Sequence, residues 1–283
     1  NFIFIHSLNE KNYICNPMKR ILSILFVVAF LISCSEYNKI VKGTDYNLKY
    51  EKAVEYYQNG DCFKALPLFE ELMSYFRMTD KGEDVYYYYA KTQYCMKDYY
   101  LAGYYFKRFS KNFPNSNRAE ECAFNSAVCY MKNSPDFYLD QSDTYNSIDE
   151  FQLFMNRYPE SYLVDSCNTL IKDLRSKLEL KSFEKSNLYF KMEKYRSAII
   201  AYNSTLEKFP DTQFREEILF MIVKANFMFA SNSVESKKVE RFEATIDSYL
   251  TFVDSFEKSS YLKTAESYYN SSIREIEKQN NLN

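Results

Sequence analysis

Nucleophilic and metal-binding chemistry in proteins runs mostly through cysteine and histidine, and this chain holds 7 cysteines and 1 histidine. His6 lies within residues 1–17, which contain no methionine and read as translated upstream sequence ahead of Met18. From Met18 onward there is no histidine. Ser-His-Asp and Cys-His nucleophiles and the commonest metal ligand are therefore not available to the rest of the chain. No glycine-rich phosphate loop and no paired-carboxylate motif takes their place, so the expected protein is not an enzyme and needs no metal. Cys62, Cys95, Cys122, Cys129 and Cys167 show no CxxC spacing. Cys122 and Cys129 share a helix face but stand about 10 Å apart along it, too far to bridge. An odd number cannot all pair internally, and the favoured reading is small apolar core residues rather than a disulfide.

Cys34 is different because of what precedes it. Met18-Lys19-Arg20 leads into the apolar run ILSILFVVAFLI, Ile21 to Ile32, which is too short to span a bilayer. The run closes in Leu31-Ile32-Ser33-Cys34, which resembles the bacterial lipobox. That resemblance implies a signal peptide over 18–33 and a mature chain starting at Cys34, whose thiol carries the covalent lipid. Beyond that lipid no cofactor is expected. Two or more acyl chains hold a protein stably at a membrane where one would be marginal. Ser35 follows where Asp, in such systems, would retain the protein at the inner membrane. The expected location is the periplasmic side of the outer membrane, with residues 34–48 as a tether. The alternative is a secretory signal that happens to end in cysteine.

The elements beyond the tether announce themselves by a repeated phrase: FPNS from Phe113, YPES from Tyr158, FPDT from Phe209 and FEKS from Phe256. Eleven residues before each terminal aromatic stands a small residue: Ala102, Ser147, Ala198 or Thr245, with Ala65 opening an earlier copy that ends at Phe76. Four residues after it come Phe69, Phe106, Phe151, Tyr202 and Tyr249; seven after it, Leu72, Phe109, Phe154, Thr205 and Phe252. Offsets of four, seven and eleven describe one helix face. The small residue admits a neighbouring helix, the aromatics fill the space beyond, and Pro ends the helix. Thr79, Ser116, Ser161, Thr212 and Ser259 are then expected to N-cap the next helix. With 18% aromatic residues, 4 glycines and 6 prolines, the composition favours helices joined by short loops. A net charge of −2 leaves no basic footprint for nucleic acid.

A second helical segment precedes each small residue, and the junctions YYQNGDCFKA and QYCMKDYYLA resemble the turn inside a tetratricopeptide (TPR) repeat. Ala53 and Ala90 take the small position of the first helix, and Pro114, Pro159 and Pro210 the closing proline. The departures are the missing Trp, Glu257 in place of a proline, and insertions at Asn133–Asp143 and from Ser231. An extra stretch over 161–180 must lengthen one first helix. The expected fold is all-α: a TPR-like superhelix of about five helical pairs over 49–279, capped by a helix near Tyr261 to Glu277. The inner wall of such repeats is built from first helices. That geometry nominates Tyr50, Tyr57, Tyr87, Lys91, Tyr94, Phe124, Met131 and Lys132 as a peptide groove, with Lys91 and Lys132 to hold a carboxylate. In so tyrosine-rich a chain any single ring is either groove or core.

Lipobox, short tether and five TPR-like pairs punctuated by FPxS together resemble the BamD family, TPR lipoproteins of the outer-membrane β-barrel assembly machinery. The resemblance runs from Met18 to about Lys278. It implies a scaffold with two kinds of partner. One is a barrel insertase of the BamA type, bound through its periplasmic POTRA domains chiefly by the C-terminal repeats. The other is nascent outer-membrane β-barrel proteins, met by the N-terminal repeats. The alternatives are another periplasmic TPR scaffold serving envelope constriction or division, and a glycan-binding SusD-type lipoprotein. The first usually carries a coiled coil, which has no counterpart before Ala53; the second is much longer.

Overall fold

The computed structural model describes residues 36–77 and 79–281. Cys34, the segment 18–33 and residues 1–17 lie outside the described residues. Among those residues all regular structure is helical. A short helix, α1, spans 36–42 in the stretch read as a tether. It is followed by α2 (Tyr46–Gln58), α3 (Cys62–Tyr75), α4 (Lys81–Cys95), α5 (Tyr99–Asn112) and α6 (Ala119–Asn133). Then come α7 (Ser142–Arg157), α8 (Val164–Lys191), α9 (Tyr195–Lys208), α10 (Arg215–Ser231), α11 (Glu235–Ser255) and α12 (Leu262–Asn280). These are the five expected pairs, α2/α3 through α10/α11, with α12 as the terminal helix. The extra stretch over 161–180 does lengthen a first helix, since α8 runs unbroken for 28 residues.

The chain forms two compact units, divided between Ser126 and Ala127. In the first, α2 packs on α3, α3 on α4 and α4 on α5, and α2 also reaches α4. In the second, α7 to α12 pack each on the next, and α10 also reaches α12. Contact between successive first helices, as well as between neighbours, is what TPR-like stacking requires. The first core gathers Ala53, Ala65, Phe69, Leu72 and Val85, and Ile40 of α1 belongs to it. The second gathers Phe183, Ala198, Tyr202, Ile218, Val223, Phe252 and Ala265. The small positions Ala65, Ala102, Ser147, Ala198 and Thr245 are all fully buried. Ser147 does more than admit its neighbour: its hydroxyl donates to the Ala127 carbonyl of α6, 3.1 Å away.

The FPxS phrase is a β-turn. The N–H of Ser116, Ser161, Thr212 and Ser259 donates back to the carbonyl of Phe113, Tyr158, Phe209 and Phe256, at 3.1–3.2 Å. Each aromatic still donates its own N–H four residues back, to Phe109, Phe154, Thr205 or Phe252. Its ψ has swung to between 62° and 73°, outside the helical range. Proline in second place disfavours helix at the residue before it and presets its own φ for the turn. Phe256 adopts the same shape before Glu257, so the hydrogen bonds and packing suffice without proline. The hydroxyl of Ser116, Ser161, Thr212 and Ser259 accepts the N–H two residues on. The residue flanking each following helix is instead Leu163, Phe214 or Tyr261 where one is defined, so the hydroxyls cap a tight turn leading into the helix. Thr79 departs further: its hydroxyl donates to the Phe76 carbonyl at 2.9 Å.

Within three of the five pairs, α2/α3, α4/α5 and α8/α9, the turn is a Schellman motif, in which a residue of positive φ ends the helix. Gly60 (φ 77°), Lys97 (φ 63°) and Glu193 (φ 58°) occupy that place. The N–H of the next residue, Asp61, Asp98 or Lys194, returns five residues to Tyr56, Gln93 or Tyr189.

One expectation about the cysteines needs correction. Cys62 and Cys95 form a disulfide, with Cα atoms 6.3 Å apart. They begin α3 and end α4, and the sequence separation of 33 hid their proximity. Cys122, Cys129 and Cys167 are free and buried, as a core reading requires. Burial pushes the Cys122 and Cys129 thiols up to about 12, which leaves them unreactive.

Candidate peptide-binding face

In the first unit the helical repeat places Tyr50 and Tyr57 of α2, seven residues apart, on one face. On α4 the same rule aligns Asp84, Tyr87, Tyr88 and Lys91. Arg118, just ahead of α6, and Glu121, in its first turn, face them. These side chains meet across helices at a separation close to one repeat. Tyr87 Oη donates to Glu121 Oε2 at 2.9 Å, and Lys91 Nζ to Glu121 Oε1 at 2.8 Å. Arg118 pairs with Asp84. Both Tyr87–Glu121 and Asp84–Arg118 are 34 residues apart, as are Asn47 and Lys81, which bond at 2.8 Å. Equivalent positions on successive first helices thus hold one another.

The rings take up the same cations. Lys91 lies 5.6 Å and Arg118 4.6 Å from the Tyr87 ring centroid. Lys81 lies 5.5 Å from Tyr50, and Tyr57 meets Tyr88 edge-on at 5.6 Å. Burial, then the bond to Glu121, pushes the Tyr87 hydroxyl up to about 12; burial, then Asp84, does the same to Tyr50. Burial works against a charged Glu121, but the donors on Lys91 and Tyr87 outweigh it and hold the carboxyl below its ordinary range. Lys91 is held above its ordinary value by the same pairing, against the opposing effect of burial. The face has no nucleophile and no acid–base pair tuned toward neutrality. It can bind, through aromatic area and a cation–carboxylate row.

Each nominated residue now has a place. Tyr50, Tyr57, Tyr87, Tyr94 and Phe124 are half-buried, so each shows part of its ring to solvent. Tyr94 packs edge-on to Tyr99 and Phe106 of α5, which ties it to its own helical pair. Met131 and Lys132 fall in the half of α6 that belongs to the second unit. Lys132 is exposed. Lys91 is not a vacant carboxylate holder: Glu121 of the chain already sits on it. Sequence reasoning missed Asp84, Arg118 and Glu121. The signal that could have found them is charge complementarity at a spacing of 34 residues.

The chain resembles known proteins along most of its length. A family model described as YfiO, outer membrane lipoprotein, matches residues 44–242. A putative outer membrane protein assembly factor BamD of Aquifex aeolicus (strain VF5) is 26% identical over 264 residues, covering 92% of this chain and 86% of that one. Among solved structures, the TPR2AB domain of yeast Sti1, in its pHSP90 complex, aligns over 81% of this chain and 99% of its own. Its identity is 13% and its TM-score 0.39, too distant to argue from.

Proposed function

We propose, for a chain that belongs to the YfiO family of outer membrane lipoproteins, a non-enzymatic scaffold in the assembly of outer-membrane β-barrel proteins. The observation that carries this reading is the family match across residues 44–242, joined to similarity with a putative assembly factor over 92% of the chain. The lipobox-like Leu31-Ile32-Ser33-Cys34 supports lipid attachment at Cys34 and a position on the periplasmic side of the outer membrane. The scaffold holds two partners: the POTRA domains of a BamA-type insertase, engaged by the C-terminal repeats, and segments of nascent barrel proteins, met by the first unit. No bond is made or broken. Anchoring raises the effective concentration of each partner for the other.

For the nascent chains, the face formed by Tyr50, Tyr57, Tyr87 and Lys91 supplies wide ring area with few rotamers to freeze. A carboxyl terminus reaching Lys91 must share or displace Glu121, so this contact favours chains that also cover the rings. Affinity purification from solubilised membranes tests the reading. A POTRA-containing barrel protein should co-purify; recovery of a SusC-like transporter or of division proteins instead would refute it. Photo-crosslinkers at Tyr57 and Tyr94 should label nascent barrel proteins, and silence at both positions would remove the groove.

A further inference from the structure

We propose that the second unit carries a docking trench for an extended, carboxylate-rich peptide segment of a partner protein. The trench lies along α8 and α9. A cleft of about 660 Å3 is lined by Lys172 and Arg175 of α8 and Lys208 at the end of α9. Through Lys208 it continues into a hollow of about 310 Å3 that contains Lys185. All four cations are exposed. Among the described residues none of the four has a carboxylate partner, whereas Lys49, Lys91 and Arg118 of the first unit each hold one. The lining carries only two carboxylates, Glu179 and Asp211. Four cations against two carboxylates make the trench locally positive in a chain of net charge −2.

The spacing selects the ligand. Arg175 and Lys185 are ten residues apart on one helix, about 15 Å along its axis. An extended peptide covers that distance in about five residues, whereas a single phosphate touches only one end. A flat lipid surface meets the rim of a concave site, not its floor. Ser197 and Ser204 line the second hollow and can donate to backbone carbonyls, and Ile200, 62% exposed, offers an apolar contact there. Exposed ion pairs contribute little singly and are screened by salt. Recognition therefore depends on several carboxylates acting together.

The purified full chain in nonionic detergent, titrated with a fluorescent Glu/Ser 12-mer and with its Gln/Ser counterpart, tests this. The acidic peptide should bind, more weakly as salt rises, and the neutral one should not. Combined Lys172→Gln, Arg175→Gln, Lys185→Gln and Lys208→Gln should weaken binding by about tenfold or more. Lys237→Gln with Lys238→Gln, which removes two cations elsewhere in the same unit, should leave it unchanged. Circular dichroism and melting should show the four-site variant folded; if it is not, the four single variants are titrated instead, and each should weaken binding. Equal binding of both peptides, an unaffected four-site variant, or an equal loss in the control variant would overturn the trench. So would a four-site variant that loses binding to vesicles rich in anionic phospholipid while keeping the peptide. None of these outcomes bears on which barrel protein co-purifies, so this proposal and the scaffold reading fail separately.

Discussion

At the scale of single residues, Glu121 is the centre of the aromatic face. It joins Lys91 and Tyr87, both from α4, to α6. Its side chain is 42% exposed, so solvent screens the pair and its value is modest. Glu121→Gln should cost about 1 kcal/mol at neutral pH, from one weakened ion pair and one weakened hydrogen bond. The pH dependence follows from the sign of the shift. A carboxyl held below its ordinary 4.5 stabilises the fold above that value, and the contribution fades as pH falls through the lower native one. Urea midpoints at pH 7 and pH 3 should therefore differ less in the Gln variant than in the parent. An unchanged difference would show that the pair is idle.

At the scale of elements, the turns carry the information. The Schellman position accepts glycine without strain, yet two of its three occupants are Lys97 and Glu193. Lys97→Gly should raise stability by about 1 kcal/mol, seen as a higher melting temperature, because it relieves a left-handed backbone without removing a buried contact. A lower melting temperature would mean that the lysine side chain matters more than its backbone. The insertion between α6 and α7 is likewise an ordered element. Lys177 Nζ donates to Ser134 Oγ at 2.7 Å and to the Pro135 carbonyl at 3.1 Å. Lys181 Nζ donates to the carbonyls of Phe137 at 3.1 Å and Leu139 at 2.7 Å. Gln141 adds a bond to the Asp136 carbonyl at 2.8 Å. Replacing both lysines with alanine should speed amide exchange across 134–141 at least several-fold, with α8 itself unchanged; equal protection would show that the clamp is dispensable.

At the scale of the molecule, two features extend beyond any one element. The Cys62–Cys95 bridge closes a loop of 33 residues and joins the second helix of one pair to the first helix of the next. Cross-linking a loop of that length removes unfolded-state entropy worth about 3–4 kcal/mol. Reduction, or paired replacement by alanine, should lower the stability of the first unit by an amount of that order, read as a lower urea midpoint. An unshifted midpoint would assign the bridge no stabilising role. The other feature is the population of buried and half-buried tyrosines. Tyr50, Tyr86, Tyr87 and Tyr89 are pushed from 10.0 to about 12, in each case first by burial. A raised native pKa means stability fully present below pH 10 and lost as pH climbs through 12. Alkaline unfolding should thus begin above pH 10, and Tyr50→Phe with Tyr87→Phe should flatten its onset.

Helices, pairs, turns and the small buried positions were legible in the residues because each depends on neighbours within about fourteen positions. Hydrophobic period, helix-stopping proline and hydroxyl capping all act over that range. The hydroxyls were read as the residues flanking the helices but stand two positions ahead of them, since periodicity locates a boundary less sharply than hydrogen bonds do. Family likeness was legible too, because the phrase FPxS recurs in register. Side-chain partnership was not. The Cys62–Cys95 bridge, the carboxylate on Lys91 and the unpaired cations of α8 and α9 depend on which helix faces meet and with what axial offset. That offset is set by packing between helices some thirty residues apart, and no local pattern encodes it.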